Sequence, residues 1–115
     1  MKTLIIMSDP PYGTERTYNG MRLANTLIQR EDADVKIFLV SDAVFAAKTG
    51  QNRPDVCYCL EEMMEVFLKK GAVALCGACM DARGLCDTEI VKGCRRSSMN
   101  ELAEMVAWSD KVVTF

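Results

Sequence analysis

The 115-residue sequence predicts an α/β protein: a three-layer α/β/α sandwich on a mostly parallel sheet of about five strands. Three observations lead there. Short, continuous apolar runs recur along the chain, and such runs suit strands buried on both faces. Between them, apolar residues return at i, i+3 and i+4, the spacing of amphipathic helices. Strand and helix then alternate, which gives a parallel sheet covered on both sides. No repeat, low-complexity tract or linker interrupts the pattern, so residues 1–115 are read as one domain.

The first run, Thr3-Leu4-Ile5-Ile6-Met7, is closed by Ser8-Asp9-Pro10-Pro11. Met21, Ala24, Leu27 and Ile28 then predict a helix from Thr14 to about Gln29. Val35 to Val40 is a second buried strand, after which Asp42 is expected to cap a short helix stopping near Gly50. Residues 50–57 carry turn formers without periodicity and predict a loop. Leu60, Met63, Met64, Phe67 and Leu68 mark the clearest helix, with Gly71 as its stop. Val73-Ala74-Leu75-Cys76 is a third strand, running into a Gly-rich turn. Asp87 is expected to cap a short helix ending at Gly93, and Cys94 to Ser97 to add a short strand. Ser98 and Glu101 have capping-box spacing, starting a helix through Leu102 and Val106 to about Trp108. Lys111 to Phe115 closes the chain as a strand.

Composition removes several function classes. The formal net charge is −2, and Lys69-Lys70 and Arg95-Arg96 are isolated pairs read as solvated helix ends. That argues against a nucleic-acid partner and against an anionic membrane surface. No run approaches the roughly 18 apolar residues of a membrane span. Lys2 to Met7 is too short, and too promptly followed by Asp9 and two prolines, for a signal peptide. The expected setting is cytoplasmic, where the six cysteines stay reduced. There is no histidine, which excludes Ser-His-Asp and Cys-His catalysis and every imidazole metal site.

In open parallel sheets, ligands bind beyond the carboxyl ends of the strands. Three segments qualify: Ser8 to Thr17, Ser41-Asp42, and Cys76 to Leu85. The first holds Tyr12, Gly13, Thr14 and Thr17 but is neither GxGxxG nor a P-loop. Pro10 and Pro11 lack the N–H groups of a phosphate nest, so a rigid turn is the better reading. In the third, Cys76-Gly77-Ala78-Cys79-Met80-Asp81-Ala82-Arg83-Gly84, a thiol ends a strand before small residues. Backbone N–H groups and the Arg83 guanidinium would favour thiolate, the nucleophilic form. The competing reading makes Cys76 a small core hydrophobe, and position alone leaves the two even.

A zinc site from Cys57, Cys59, Cys76 and Cys79 is conceivable, but Cys57-x-Cys59 is an unusual knuckle spacing. No metal and no cofactor is expected. A thioredoxin-like site would set its CxxC after the first strand of a βαβ unit, whereas Cys76-x-x-Cys79 follows the third. Cys86 and Cys94 are read as packing residues, Met63, Met64, Met99 and Met105 as core or subunit contacts, and Asp81 and Glu89 as turn caps.

Taken together, these motifs resemble the DsrE/DsrF-like family of sulfur-relay proteins, in particular its small stand-alone branch. The likeness runs through Pro11-Tyr12-Gly13-Thr14-Glu15, Phe38-Leu39-Val40-Ser41-Asp42-Ala43-Val44, Gly50-Gln51 and Leu75 to Gly84. It continues through Leu102-Ala103-Glu104 and Ser109 to Phe115. The resemblance implies a three-layer parallel fold and a homotrimer or homohexamer. It also implies a sulfur-accepting cysteine at the end of the third strand, shortly before an Arg-Gly pair. That position is Cys76, ahead of Arg83-Gly84. Cys76 would hold sulfane sulfur as a persulfide between donor and acceptor proteins, with Arg83, Gly77 and Ala78 stabilising the anion. Asp42, Tyr12 and Gly13 would wall the pocket. Cys79 resembles a second cysteine of the stand-alone branch. If Cys79 lies near Cys76, its thiol would attack the inner sulfur, release sulfide and leave a disulfide. Two alternatives stand beside the carrier: an oligomeric small-ligand-binding module, and a Cys76/Cys79 thiol–disulfide protein.

Overall fold

The computed structural model describes residues 1–52 and 58–115. Cys57, Pro54 and most of the expected 50–57 loop lie outside the described residues. Five strands form the sheet: β1 (Lys2–Met7), β2 (Asp34–Leu39), β3 (Ala72–Cys76), β4 (Arg95–Ser97) and β5 (Lys111–Thr114). Their order is β4-β3-β2-β1-β5, and every pairing is parallel. The connections are α1 (Arg16–Leu27), α2 (Leu60–Phe67), α3 (Gly77–Ala82) and α4 (Met99–Trp108), with 3-10 turns at Ser41–Ala47 and Asp87–Glu89. The first three connections each move one strand further from β1; α4 then carries the chain back across the sheet to β1's other side.

The period of two along each strand sorts the core into two layers. Ile5, Met7, Ile37, Leu39, Val73 and Leu75 pack with Met21, Ala24, Leu60, Met64 and Phe67 from α1 and α2. Leu4, Phe38, Ala74 and Cys76 pack on the opposite side with Leu102 and Met105 of α4. Lys36 extends its amine over the Trp108 ring at 4.1 Å, which keeps a charge at the margin of that layer.

Six local expectations are corrected. The segment after Cys76 is helix α3 rather than an open Gly-rich turn, because Ala78, Met80 and Ala82 propagate a helix once it is started. Asp42 does not cap the next element; it pairs with Arg83 instead, in a 3-10 turn preceded by Val40. The Asp87 helix is a three-residue 3-10 turn, capped from Cys86, whose N–H donates to Glu89 Oε1 at 2.8 Å. Ser98 Oγ accepts from the Glu101 N–H at 3.3 Å, but the Glu101 carboxylate turns to Arg95 and Ser97, so only half the capping box forms. Arg95 and Arg96 lie on strand β4 and are ion-paired, not solvated at a helix end. Cys86 is exposed rather than packed.

Candidate functional site

The carboxyl end of β1 is closed. Ser8 donates its N–H to the Phe115 carbonyl at 2.9 Å and its hydroxyl to the same oxygen at 3.2 Å. Thr17, fully buried, donates to the Asp9 carbonyl at 2.6 Å, and Thr14 donates to the Asp9 carboxylate at 3.1 Å. Gly13 makes the bend at φ +100°, a conformation that L side chains avoid. Tyr12 donates to Gln51 Oε1 at 2.6 Å and accepts from the Leu60 N–H at 3.1 Å. Burial and a neighbouring Cys59 push its phenol above the ordinary value, against the pull of the Leu60 N–H. These bonds tie the turn to α1 and α2, and none of them joins Tyr12 to Cys76 or Cys79.

The ends of β2 and β3 are different. Cys76 is the last residue of β3 and the N-cap of α3, and it is 8% exposed. Its Sγ accepts the Cys79 N–H at 3.3 Å, a cap made by sulfur in place of the usual oxygen. Cys79 lies one helical turn on, close enough for its thiol to act electrostatically on the Cys76 thiol. Burial pushes the Cys76 thiol up; the neighbouring Cys79 thiol adds to this, while the Cys79 and Ala78 N–H groups pull it down. The net direction is upward, so the resting form is the thiol.

The second strand supplies the other half of this arrangement. Ser41, the first residue after Val40, stands at φ +52° and directs its N–H onto Cys79 Sγ at 3.1 Å. A left-handed serine costs about 1 kcal/mol. Arg83 then links the two loops: its Nε donates to Asp42 at 2.8 Å and its Nη1 to the Cys79 carbonyl at 3.2 Å. The Arg83 charge is thus met by a carboxylate, and it orders Cys79 rather than facing Cys76 as the sequence suggested.

Gly77 has a different part from the one expected. Its carbonyl accepts from Arg96 at 3.1 Å, and a Cβ there would stand 3.0 Å from the Ser97 carbonyl oxygen. Close approach to β4 is what this position requires. Arg96 also donates to Asp81 and Asp87, so one guanidinium clasps the start of α3 to the edge of the sheet. Sequence reasoning missed Arg96, and it named the Ser41-Asp42 segment without the contact Ser41 makes. An Arg pair gives no hint of its partners, and a left-handed serine has no sequence signature.

Two of the other described cysteines sit in different surroundings. Cys59 is buried at the start of α2 beside Tyr12. Cys94 packs against the larger core layer, where burial pushes its thiol up to about 12. Among the described residues, no group of three or more Cys, Asp or Glu is placed to hold a metal ion. No helix among them is long and apolar enough to cross a membrane.

Comparison with known proteins places this geometry in a lineage. An uncharacterized protein of Methanopyrus kandleri is 40% identical over 112 residues, covering 96% of this chain and 91% of that one. The YchN protein of Escherichia coli is 36% identical over 116 residues, covering 99% of this chain and 98% of YchN. The crystal structure of YchN superposes with a TM-score of 0.91 over 100% of both chains. A protein of unknown function from Methanobacterium thermoautotrophicum, 10% identical, shares the fold at a TM-score of 0.75, covering 99% of this chain and 97% of that one. The DsrE/DsrF-like family profile matches residues 1–115, and the chain belongs to that family, in the stand-alone branch that includes YchN.

Proposed function

We propose that this chain is a sulfur-relay protein that carries sulfane sulfur as a persulfide on Cys76. The observation that supports the reading best is the paired thiol site at the end of β3. There Cys76 Sγ accepts the Cys79 N–H, which sets the second thiol within one helical turn of the first. The Cys76 thiolate attacks the outer sulfur of a donor persulfide. A new S–S bond forms, the donor's S–S bond breaks, and the donor leaves as thiolate. An acceptor thiolate then takes the outer sulfur and frees Cys76. Backbone N–H groups offset part of the cost of a sulfur anion in this buried position. Asp42 and Arg83 brace the site from β2; Tyr12 and Gly13 act at a distance, by fixing the neighbouring turn.

The partners on this reading are a donor and an acceptor protein and further copies of the same chain, as a trimer or hexamer. Exposed Met99, Val106 and Val112 provide apolar surface for such contacts. A reducing, cytoplasmic setting suits free thiols. The test is intact-mass measurement after incubation with a cysteine desulfurase and cysteine. In a Cys79→Ser chain the expected product gains one sulfur that reductant removes, and a Cys76→Ser/Cys79→Ser chain gains none. Equal uptake by the double variant would overturn the assignment.

A further inference from the structure

Cys79 is more firmly placed than a packing cysteine needs to be. Its N–H donates to Cys76 Sγ at 3.3 Å, its carbonyl accepts from Arg83 at 3.2 Å, and its sulfur accepts from the Ser41 N–H at 3.1 Å. The last of these bonds comes from the 3-10 turn that follows β2, and from a residue held at φ +52°. Cys76, Arg83 and the turn after β2 thus hold Cys79 in place, one helical turn from the Cys76 sulfur that its own N–H contacts. On a persulfide carried by Cys76, the atom bonded to Cβ is the inner sulfur. The outer sulfur extends beyond it.

We infer that Cys79 is a resolving thiol that converts the Cys76 persulfide into free sulfide, giving the chain a persulfide-reducing activity. The inference rests on Cys76 taking up sulfur as proposed above. Cys79 Sγ attacks the inner sulfur, forming the Cys76–Cys79 disulfide and breaking the persulfide S–S bond. The proton of the Cys79 thiol goes to the departing sulfur, which leaves as hydrosulfide. Two cysteine sulfurs are oxidised by one electron each, and the sulfane sulfur gains both electrons. The persulfide is itself the oxidant. A small-molecule or protein dithiol then reduces the disulfide and resets the site. The substrate class is therefore a sulfane-sulfur donor together with a dithiol, and the product is sulfide.

This role differs from that of a long-lived carrier. A carrier has to shelter its persulfide from thiols, whereas here a thiol is fixed one helical turn away. Intramolecular attack by an oriented group exceeds attack by dilute external thiol by orders of magnitude. The same pinning by Ser41 and Arg83 keeps Cys79 from reaching outward to a donor or acceptor protein.

The experiment follows the fully reduced chain after loading with one equivalent of glutathione persulfide, by intact mass and by released sulfide. The unchanged chain is expected to release one sulfide per chain and to end lighter by two hydrogens. Cys79→Ser and Cys79→Ala are expected to retain one added sulfur, mapped to Cys76, with a lifetime longer by at least about tenfold. A persulfide that lasts as long in the unchanged chain as in both variants overturns the inference and leaves the carrier reading intact. Sulfur mapped to Cys79 also overturns it. Absence of sulfur uptake in all three proteins overturns the carrier reading, and the inference with it. Diamide oxidation gives a separate check: the pair must close with loss of two hydrogens in the unchanged chain and not in Cys79→Ser. Failure to close overturns the resolving role whatever Cys76 carries.

Discussion

In the turn after β1, Thr17 donates to the Asp9 carbonyl, Thr14 donates to the Asp9 carboxylate, and Tyr12 is held between Gln51 and Leu60. In the turn after β3 the groups in the same position are two thiols, each contacted by a backbone N–H. Both turns follow a buried strand and lead into a helix. The first uses oxygen, a strong acceptor and donor, and its hydrogen bonds fix shape. The second uses sulfur, whose hydrogen bonds are weak and leave the atom available for chemistry. An abundance of polar residues after a strand is therefore a poor guide to the reactive turn, and the atom type is the better one.

The comparison can be sharpened first by titration. Burial keeps the Cys76 thiol above its ordinary value, so its thiolate fraction should rise about tenfold per pH unit from neutrality to about pH 9. Iodoacetamide labelling of Cys76, followed by mass spectrometry, should climb with that slope. A plateau below about pH 8 would mean that the backbone donors outweigh burial. The sign carries over to stability. The fold favours the neutral thiol, so this contribution is present below the unfolded thiol's pKa and is lost as pH rises above it.

A second test breaks the close approach beneath the thiol turn. Gly77→Val places a branched side chain against the Ser97 carbonyl and Arg96, and is expected to destabilise by about 1–3 kcal/mol in urea unfolding. An effect near zero would show that α3 shifts freely away from β4. The smallest effect should come from the turn after β1. Thr17→Val leaves the Asp9 carbonyl without its hydroxyl donor and should cost about 1 kcal/mol. Sulfur uptake should be unchanged by Thr17→Val if the two turns are independent. A loss of uptake there would tie the β1 turn to the thiol site.

Strands β1 and β3 were legible because each is a continuous apolar run, and a double-sided core leaves little else such a run can be; β2 kept its apolar character around Lys36, and β5 is a largely exposed edge strand. Helices α1, α2 and α4 were legible to within a turn, since their apolar residues recur at the period of 3.6, whereas α3 was read as a turn. Errors gathered where polar side chains had more than one partner to choose from. Asp42 has the sequence character of a cap and chose Arg83; Glu101 has the spacing of a capping box and chose Arg95 and Ser97. Local spacing cannot rank such choices, because the competing partners come from distant parts of the chain.

The position of Cys76 at the end of a buried strand was present in the sequence alone, and so was the spacing that places Cys79 one helical turn away. Hydrophobic periodicity and chain adjacency determine both. The β4-β3-β2-β1-β5 order, and with it the meeting of Ser41 with Cys79 and of Arg83 with Asp42, arises only in the folded chain. These contacts join residues 38 and 41 positions apart, so they depend on which strands become neighbours. The sequence thus supplied the thiol pair, and the tertiary structure decided how firmly its second member is held.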